Sequence, residues 1–260
     1  MGHPLKVATF NIRCGNADDG PDRWEVRRPR ALQFIASLDL DLFGVQEAIE
    51  TQMHDLRSEL EGWGSLGVGR EDGHAAGEFS AIFYRKDRLN PLESGTFWFS
   101  NTPERPGSMD WGNRITRICS WSRFEDVRDG TRFLHFNLHT DHESEVSRWR
   151  SIELLVQRIE ELGGGPALVT GDFNEGEHAP SLRVIRSASF RDTFRVLHPD
   201  AADVGTFSGF TDQYGLDKID YVFVSPHFIV SEADIVKRRV DGRWPSDHAA
   251  VTATVALRTP

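Results

Sequence analysis

Residues 145–174 read EVSRWRSIELLVQRIEELGGGPALVTGDFN. Val146, Trp149, Ile152, Val156 and Ile159 recur at helical spacing, which predicts a helix over Glu145–Leu162. Gly163-Gly164-Gly165-Pro166 reads as the stop of that helix rather than as a phosphate loop. Ala167–Gly171 follows as a short apolar strand and breaks off in Asp172, Phe173 and Asn174. A helix that feeds a buried strand ending in charge is the building unit of a layered α/β fold. Active sites of such folds gather at strand ends and the loops after them.

The same pattern recurs outward from this unit. Leu5–Arg13, Asp41–Glu47, Phe79–Arg85, Ser94–Phe99, Ile115–Phe124 and Arg132–Thr140 read as strands, as do Ile219–Ser225, Phe228–Lys237 and Ala249–Ala256. Pro29–Leu38, with Pro29 in the first turn, Thr51–Leu60, Ser181–Ala188 and Asp192–Leu197 read as helices. Five strand-like runs carry polar residues at an end: Asn11, Glu47, His139, Asp172 with Asn174, and Asp220; Asp247-His248 precedes the last strand. The expectation is one domain over residues 1–260, a β-sandwich flanked by helices, with a strand–helix–strand unit in each half.

Composition narrows the function. Thirty basic against forty acidic residues leave a net charge of −10, which argues against sequence-independent attraction to nucleic acid. The one dense basic group, Arg27-Arg28-Pro29-Arg30, is expected at a solvated helix start. Of the basic residues 26 are Arg and 4 Lys; Arg suits bidentate phosphate binding, but codon bias explains the ratio more cheaply. No apolar run approaches the ~20 residues of a membrane-spanning helix. Cys14 and Cys119 are too few for a disulfide framework or a cysteine zinc site. No cationic and apolar leader precedes Leu5, so the cytoplasm is the default location.

Glu47 at a strand end suits Mg²⁺, which favours one or two carboxylates, several waters and a phosphate; the other reading is an acid stabilising the following helix. Asn11 suits a metal-bound water or a phosphate oxygen, or else a strand-end turn. In Gly171-Asp172-Phe173-Asn174 an ionised Asp172 can take a proton from water while Asn174, two residues on, donates to a phosphate oxygen; an Asx-turn is the alternative. Arg117 projects toward the same end if strand parity holds, or pairs with a nearby acid. Trp98, Trp111 and Trp121 stack a base or sugar, or belong to the core.

Thr9-Phe10-Asn11-Ile12-Arg13, Gly44-Val45-Gln46-Glu47, Asn137-Leu138-His139, Gly171-Asp172-Phe173-Asn174, Ile219-Asp220-Tyr221 and Ser246-Asp247-His248 occur in this order. From Leu5 to Val255 the chain resembles the endonuclease/exonuclease/phosphatase superfamily. That family includes pancreatic-type deoxyribonucleases, neutral sphingomyelinases and inositol polyphosphate 5-phosphatases. The resemblance implies a four-layer α/β sandwich, two mixed β-sheets packed face to face with helices outside. It also implies divalent-metal-dependent hydrolysis of phosphoesters.

By the same resemblance His248 acts on the scissile phosphate, as base or as electrostatic stabiliser, and Asp220 orients it, while Asp247 joins Glu47 and Asn11 around the metal or holds the site. His139 lies near the leaving group, and Glu78, seven residues before Arg85, matches the glutamate that supports that histidine in deoxyribonuclease-like members. The family text Asn-Thr-His-Leu-Asp-His is here Asn137-Leu138-His139-Thr140-Asp141-His142, so Asp141 and His142 are left as loop or helix-start residues. These readings favour a Mg²⁺ phosphodiesterase, with Mn²⁺ able to substitute, that acts by direct water attack. Its substrates would be small diesters or short single strands rather than long duplex DNA. A phosphomonoesterase of sugar or inositol phosphates, or a catalytically silent binding module, are the alternatives. Specificity is expected in the loops Ser100–Asn113 and Ala201–Leu216.

Overall fold

The computed structural model describes residues 2–258; Met1, Thr259 and Pro260 of the expected unit lie outside the described residues. The first part of the chain runs β1 (Leu5–Asn11), α1 (Trp24–Ser37), β2 (Leu42–Ala48), α2 (Glu50–Glu59), β3 (Trp63–Leu66) and β4 (Phe79–Arg85). Next come β5 (Leu89–Trp98), β6 (Ile118–Asp126), β7 (Arg132–His139), α3 (Glu145–Glu161) and β8 (Ala167–Asp172). The last are α4 (Pro180–Ser187), β9 (Arg191–Asp192), α5 (Thr193–Leu197), β10 (Asp220–Val224), β11 (Phe228–Val236) and β12 (Ala250–Leu257).

The strands form two six-stranded sheets, ordered β11-β12-β1-β2-β4-β3 and β5-β6-β7-β8-β10-β9. Each is antiparallel except for one central pair, β1–β2 and β7–β8. A parallel pair needs a crossover, and α1 and α3 supply it. Val7, Leu42, Ile82, Phe124, Leu168 and Val222 pack between the sheets. Phe34, Ile35, Met53 and Leu56 of α1 and α2 cover the outer face of the first sheet, and Ile152, Leu155, Leu182 and Ile185 of α3 and α4 cover that of the second. This is the four-layer α/β sandwich. The last two strands join the first sheet, so the two sheets are not two halves of the sequence.

Several local expectations are corrected. Helix α3 is capped by Ser144, whose Oγ accepts from Ser147 N, and it buries Ser147, Ser151, Ile152, Leu155 and Ile159. Val146 and Trp149 are exposed; the apolar spacing locates the helix but misjudges its buried face by about one position. Pro29 lies inside α1, not in its first turn, because α1 already begins at Trp24. Trp24 Nε1 donates 2.8 Å to Asp55, a tertiary tie at that first turn. Arg27 is fully buried and Arg30 nearly so. Two of the three arginines in the basic group are therefore internal, while Arg28 is exposed and pairs with Asp55.

Candidate active site

Strand pairing brings the polar strand ends together. His139 at the end of β7 is level with Asp172 at the end of β8, and Asp172 with Asp220 at the start of β10. Gly171 lets β7 and β8 meet closely here, since a Cβ at that position would lie 2.4 Å from Leu138 O. In the other sheet, the β2–β4 register shifts between Val45 and Ala48, a bulge in which Glu47 takes φ +65°. Left-handed backbone is unfavourable for a residue with a Cβ, and here it re-aims Glu47 into the cleft. Gln46, its neighbour, is buried and donates 2.6 Å to Asn137 Oδ1 across the sandwich.

Asn11 joins the sheets. Its Nδ2 donates 2.8 Å to Glu47 Oε1 and 3.0 Å to Asp172 Oδ2, while its Oδ1 accepts from Arg13 N at 2.9 Å. Glu47 Oε2 accepts from Cys14 N at 2.9 Å, and Asp172 Oδ1 from Asn174 N at 2.9 Å. His248 Nδ1 lies 2.9 Å from Asp220 Oδ2, and its Nε2 lies 3.9 Å from Asp172 Oδ2. Glu47, Asp172 and His248 each offer a ligand atom, all within 4.8 Å of one another. The donor set fits a hard divalent cation, because two carboxylates are held side by side with only a neutral amide between them.

The charges follow from burial and neighbours. Burial opposes ionisation of Glu47, but His248, the Asn11 amide and the Cys14 N–H outweigh it and hold its carboxyl below the usual range. Burial, then the nearby Asp220 carboxylate, pushes Asp172 up to about 7. Burial works against a charged His248, yet Asp220, Asp247 and Asp172 raise it well above the ordinary imidazole. His139 is held neutral by burial and by the Arg117 and Arg70 charges. Asn174 Nδ2 donates to Thr140 O at 3.1 Å and meets His139 Nε2 at 3.0 Å. The carbonyl fixes the amide orientation, so Nε2 of the neutral His139 is the acceptor.

The cleft, about 360 Å³, is lined by Glu47, Asp172, Asn174, His139, Asp247 and His248, and also by Arg13, Glu78, Arg117, His142, Ile115, Cys14, Phe207 and Ile219. Asn11 and Asp220 sit buried directly behind them. Two contacts, those of Asn174 and Glu78, differ from the expectations. The Nδ2 of Asn174 is engaged by Thr140 O and His139, leaving it no free hydrogen for a phosphate oxygen. Asp247 lines the cleft beside the three-residue donor group; its Oδ1 accepts from Ser246 Oγ at 3.1 Å and its Oδ2 lies 3.7 Å from Arg13 Nε. Glu78 is held by Arg70 Nη1 at 2.5 Å, not by His139.

Arg117 does reach the cleft; its Nη2 lies 2.8 Å from His142 Nδ1, and its buried Nε has no hydrogen-bond partner. Arg13, Cys14, His142, Ile115, Phe207 and Ile219 were not singled out from the sequence. The motif that continues through Arg13 and the shuffled Asp141-His142 text were the available signals for two of them. Trp98, Trp111 and Trp121 do not line the cleft. Of the two expected specificity loops, Ala201–Leu216 contributes Phe207 and Ser100–Asn113 contributes nothing to the lining.

A two-sheet sandwich with a carboxylate pair bridged by an amide and a carboxylate-held histidine at its strand ends defines a class of phosphoester hydrolases. Residues 8–248 match the endonuclease/exonuclease/phosphatase family model, and the chain belongs to that family. Its members hydrolyse phosphoesters and generally depend on divalent metals. An endonuclease/exonuclease/phosphatase family protein from Bacteroides thetaiotaomicron is 35% identical, with 100% of both chains covered and a TM-score of 0.93. A mannosyl-6-phosphatase from the same organism is 37% identical over 97% of this chain and 100% of that one, with a TM-score of 0.90. The human Nocturnin catalytic domain, 19% identical over 98% of this chain and 94% of its own, shares the fold at a TM-score of 0.76. No curated protein matches the sequence. Among the described residues no helix is long and apolar enough to cross a membrane.

Proposed function

We propose that the protein is a Mg²⁺- or Mn²⁺-dependent phosphomonoesterase of compact, sugar-phosphate-like substrates. The observation that carries this reading is a small cleft in which the Arg13 and Arg117 guanidinium groups and a protonated His248 stand beside the carboxylate pair. A monoester dianion needs more positive charge than a diester. The Arg117 guanidinium, held between Asp141 and His142, supplies part of that charge at the cleft wall. The 37% identical mannosyl-6-phosphatase supports the monoester over the diester that the motifs alone favour. The internal position of Arg27 and Arg30 supports compact substrates over long duplex DNA, which needs an exposed basic track.

In this reading Glu47 holds the cation, Asp172 is close enough to share it, and Asn11 keeps the two carboxylates together. A cation held there would neutralise charge on the transferring phosphoryl group. Asp172 orients the attacking water and takes its proton. His248, charged against Asp220, donates from Nε2 to a phosphate oxygen, and His139 lies on the leaving-group side. The test is a panel of hexose phosphates, an aryl phosphodiester and plasmid DNA, assayed with Mg²⁺, Mn²⁺ or chelator at about 50 to 200 mM salt. Orthophosphate release from a hexose phosphate, abolished by chelator, is the expected dominant activity. Faster diester or plasmid cleavage overturns the monoester reading.

A further inference from the structure

We propose that Glu78, held in place by Arg70, forms a hydroxyl-reading subsite on the wall of the cleft; this rests on the phosphomonoesterase reading and gives it a substrate class, a phosphate carried on a polyhydroxylated ring or chain. Four carboxylates line the cleft, and three are committed elsewhere. Glu47 and Asp172 are bridged by Asn11, and Asp247 is bound to Ser246 and faces Arg13. Glu78 is different. Its Oε2 accepts from Arg70 Nη1 at 2.5 Å, and among the described residues its Oε1 accepts nothing. That oxygen is not among the buried unpartnered atoms, and Glu78 lines the cleft.

The pair is built rather than incidental. Arg70 N donates 3.1 Å to Glu78 O, fixing the two residues across from one another, and Trp98 Nε1 donates 2.5 Å to Arg70 O. The side chains are only 11% and 18% exposed, and Arg70 Nε is buried without a partner. An ionised carboxylate repels a phosphate dianion at close range, so Glu78 faces a different part of the substrate. A carboxylate with one oxygen held by a guanidinium and the other free is a fixed acceptor, and it matches an alcohol whose O–H donates to Glu78.

A subsite built for a hydroxyl leaves buried polar groups unpaired when the hydroxyl is missing, and discriminates for that reason. The experiment measures kcat and KM of the Mg²⁺-loaded wild type, Glu78→Ala and Glu78→Gln on a hexose 6-phosphate and on its monodeoxy analogues. We expect the wild type to disfavour at least one deoxy analogue by about tenfold or more, largely in KM. In Glu78→Ala that preference should collapse to about twofold, and in Glu78→Gln it should shrink. A thermal melt checks that each variant is folded, and the isosteric Gln variant carries the comparison if Ala does not fold. Equal losses on parent and deoxy substrates, or an unchanged preference, overturn the subsite while leaving the monoester reading intact. A wild type that cleaves a diester but frees no orthophosphate from hexose phosphates overturns both.

Discussion

His248 Nδ1 lies 2.9 Å from Asp220 Oδ2, in a pair so enclosed that the other Asp220 oxygen is buried with no partner. This contact both orients the ring and keeps it charged. If Asp220 acts only through His248, its loss is silent once the ring is gone. Adding Asp220→Asn to His248→Ala should therefore cost less than about a further threefold in kcat/KM, although Asp220→Asn alone costs much more. Multiplicative losses in steady-state assays would show independent roles.

Glu47 combines a strained backbone with a proposed metal-holding carboxylate. Glu47→Gln is expected to lower kcat by about a hundredfold or more, through lost charge at the cation, with the melting curve preserved. Glu47→Gly removes the same carboxylate but accepts φ +65° without steric cost. Its stability should stay within about 1 kcal/mol of wild type by denaturant titration, while activity falls as far as in the Gln variant. Retained activity in either variant removes Glu47 from the site.

Asp172 makes the cation-free protein sensitive to pH. Its folded carboxyl titrates at about 7, above the ordinary 3.8, so between these values the folded state binds more protons than the unfolded one. Stability from this group is therefore lost as pH rises through that window, and the raised His248 contributes in the same direction. In chelator, the Tm of the wild type should fall between about pH 5 and pH 8, and that of Asp172→Asn should fall less and end higher. Added Mg²⁺ should raise the wild-type Tm at the upper pH and barely move the variant. A steeper decline in Asp172→Asn would contradict this account.

Arg27 is a buried cation with no carboxylate in contact among the described residues. Its Nη1 donates 2.5 Å to Ile12 O and 3.4 Å to Pro245 O, and its Nη2 donates 2.7 Å to Arg13 O. It thus ties the segment after Asn11 to the one before Asp247 and His248. Burial lowers its pKa to about 10. Arg27→Ala strands three carbonyls and opens a cavity, and should cost at least about 3 kcal/mol, or roughly 6–12 °C in Tm. A loss below about 1 kcal/mol would mean that water replaces the guanidinium.

Much of this architecture is written in local order along the chain. Helical spacing in residues 145–162, the glycine stop and the strand that breaks off at Asp172 involve neighbours a few positions apart, whose physics needs no tertiary context. Polar residues ending apolar strands mark the site for the same reason, and six motifs in order are enough to recognise the family. The buried face of α3 and the burial of Arg27 were not legible, because each depends on what packs against the helix.

The contacts that make the site chemical are of the second kind. Asn11 meets Glu47 across 36 residues and Asp172 across 161, and Arg27 meets Pro245 across 218. Those distances are set by strand register within each sheet, by the bulge at Glu47 and by the packing of one sheet on the other. Glu78 states the difference most plainly. Its spacing from Arg85 pointed to a partnership with His139, but the close backbone pairing of residues 70 and 78 delivers its carboxylate to Arg70 instead. Local order chose which residues carry charge at the strand ends; only the three-dimensional pairing of distant strands chose their partners, because a side chain bonds to what lies within about 3 Å and not to what a motif places beside it.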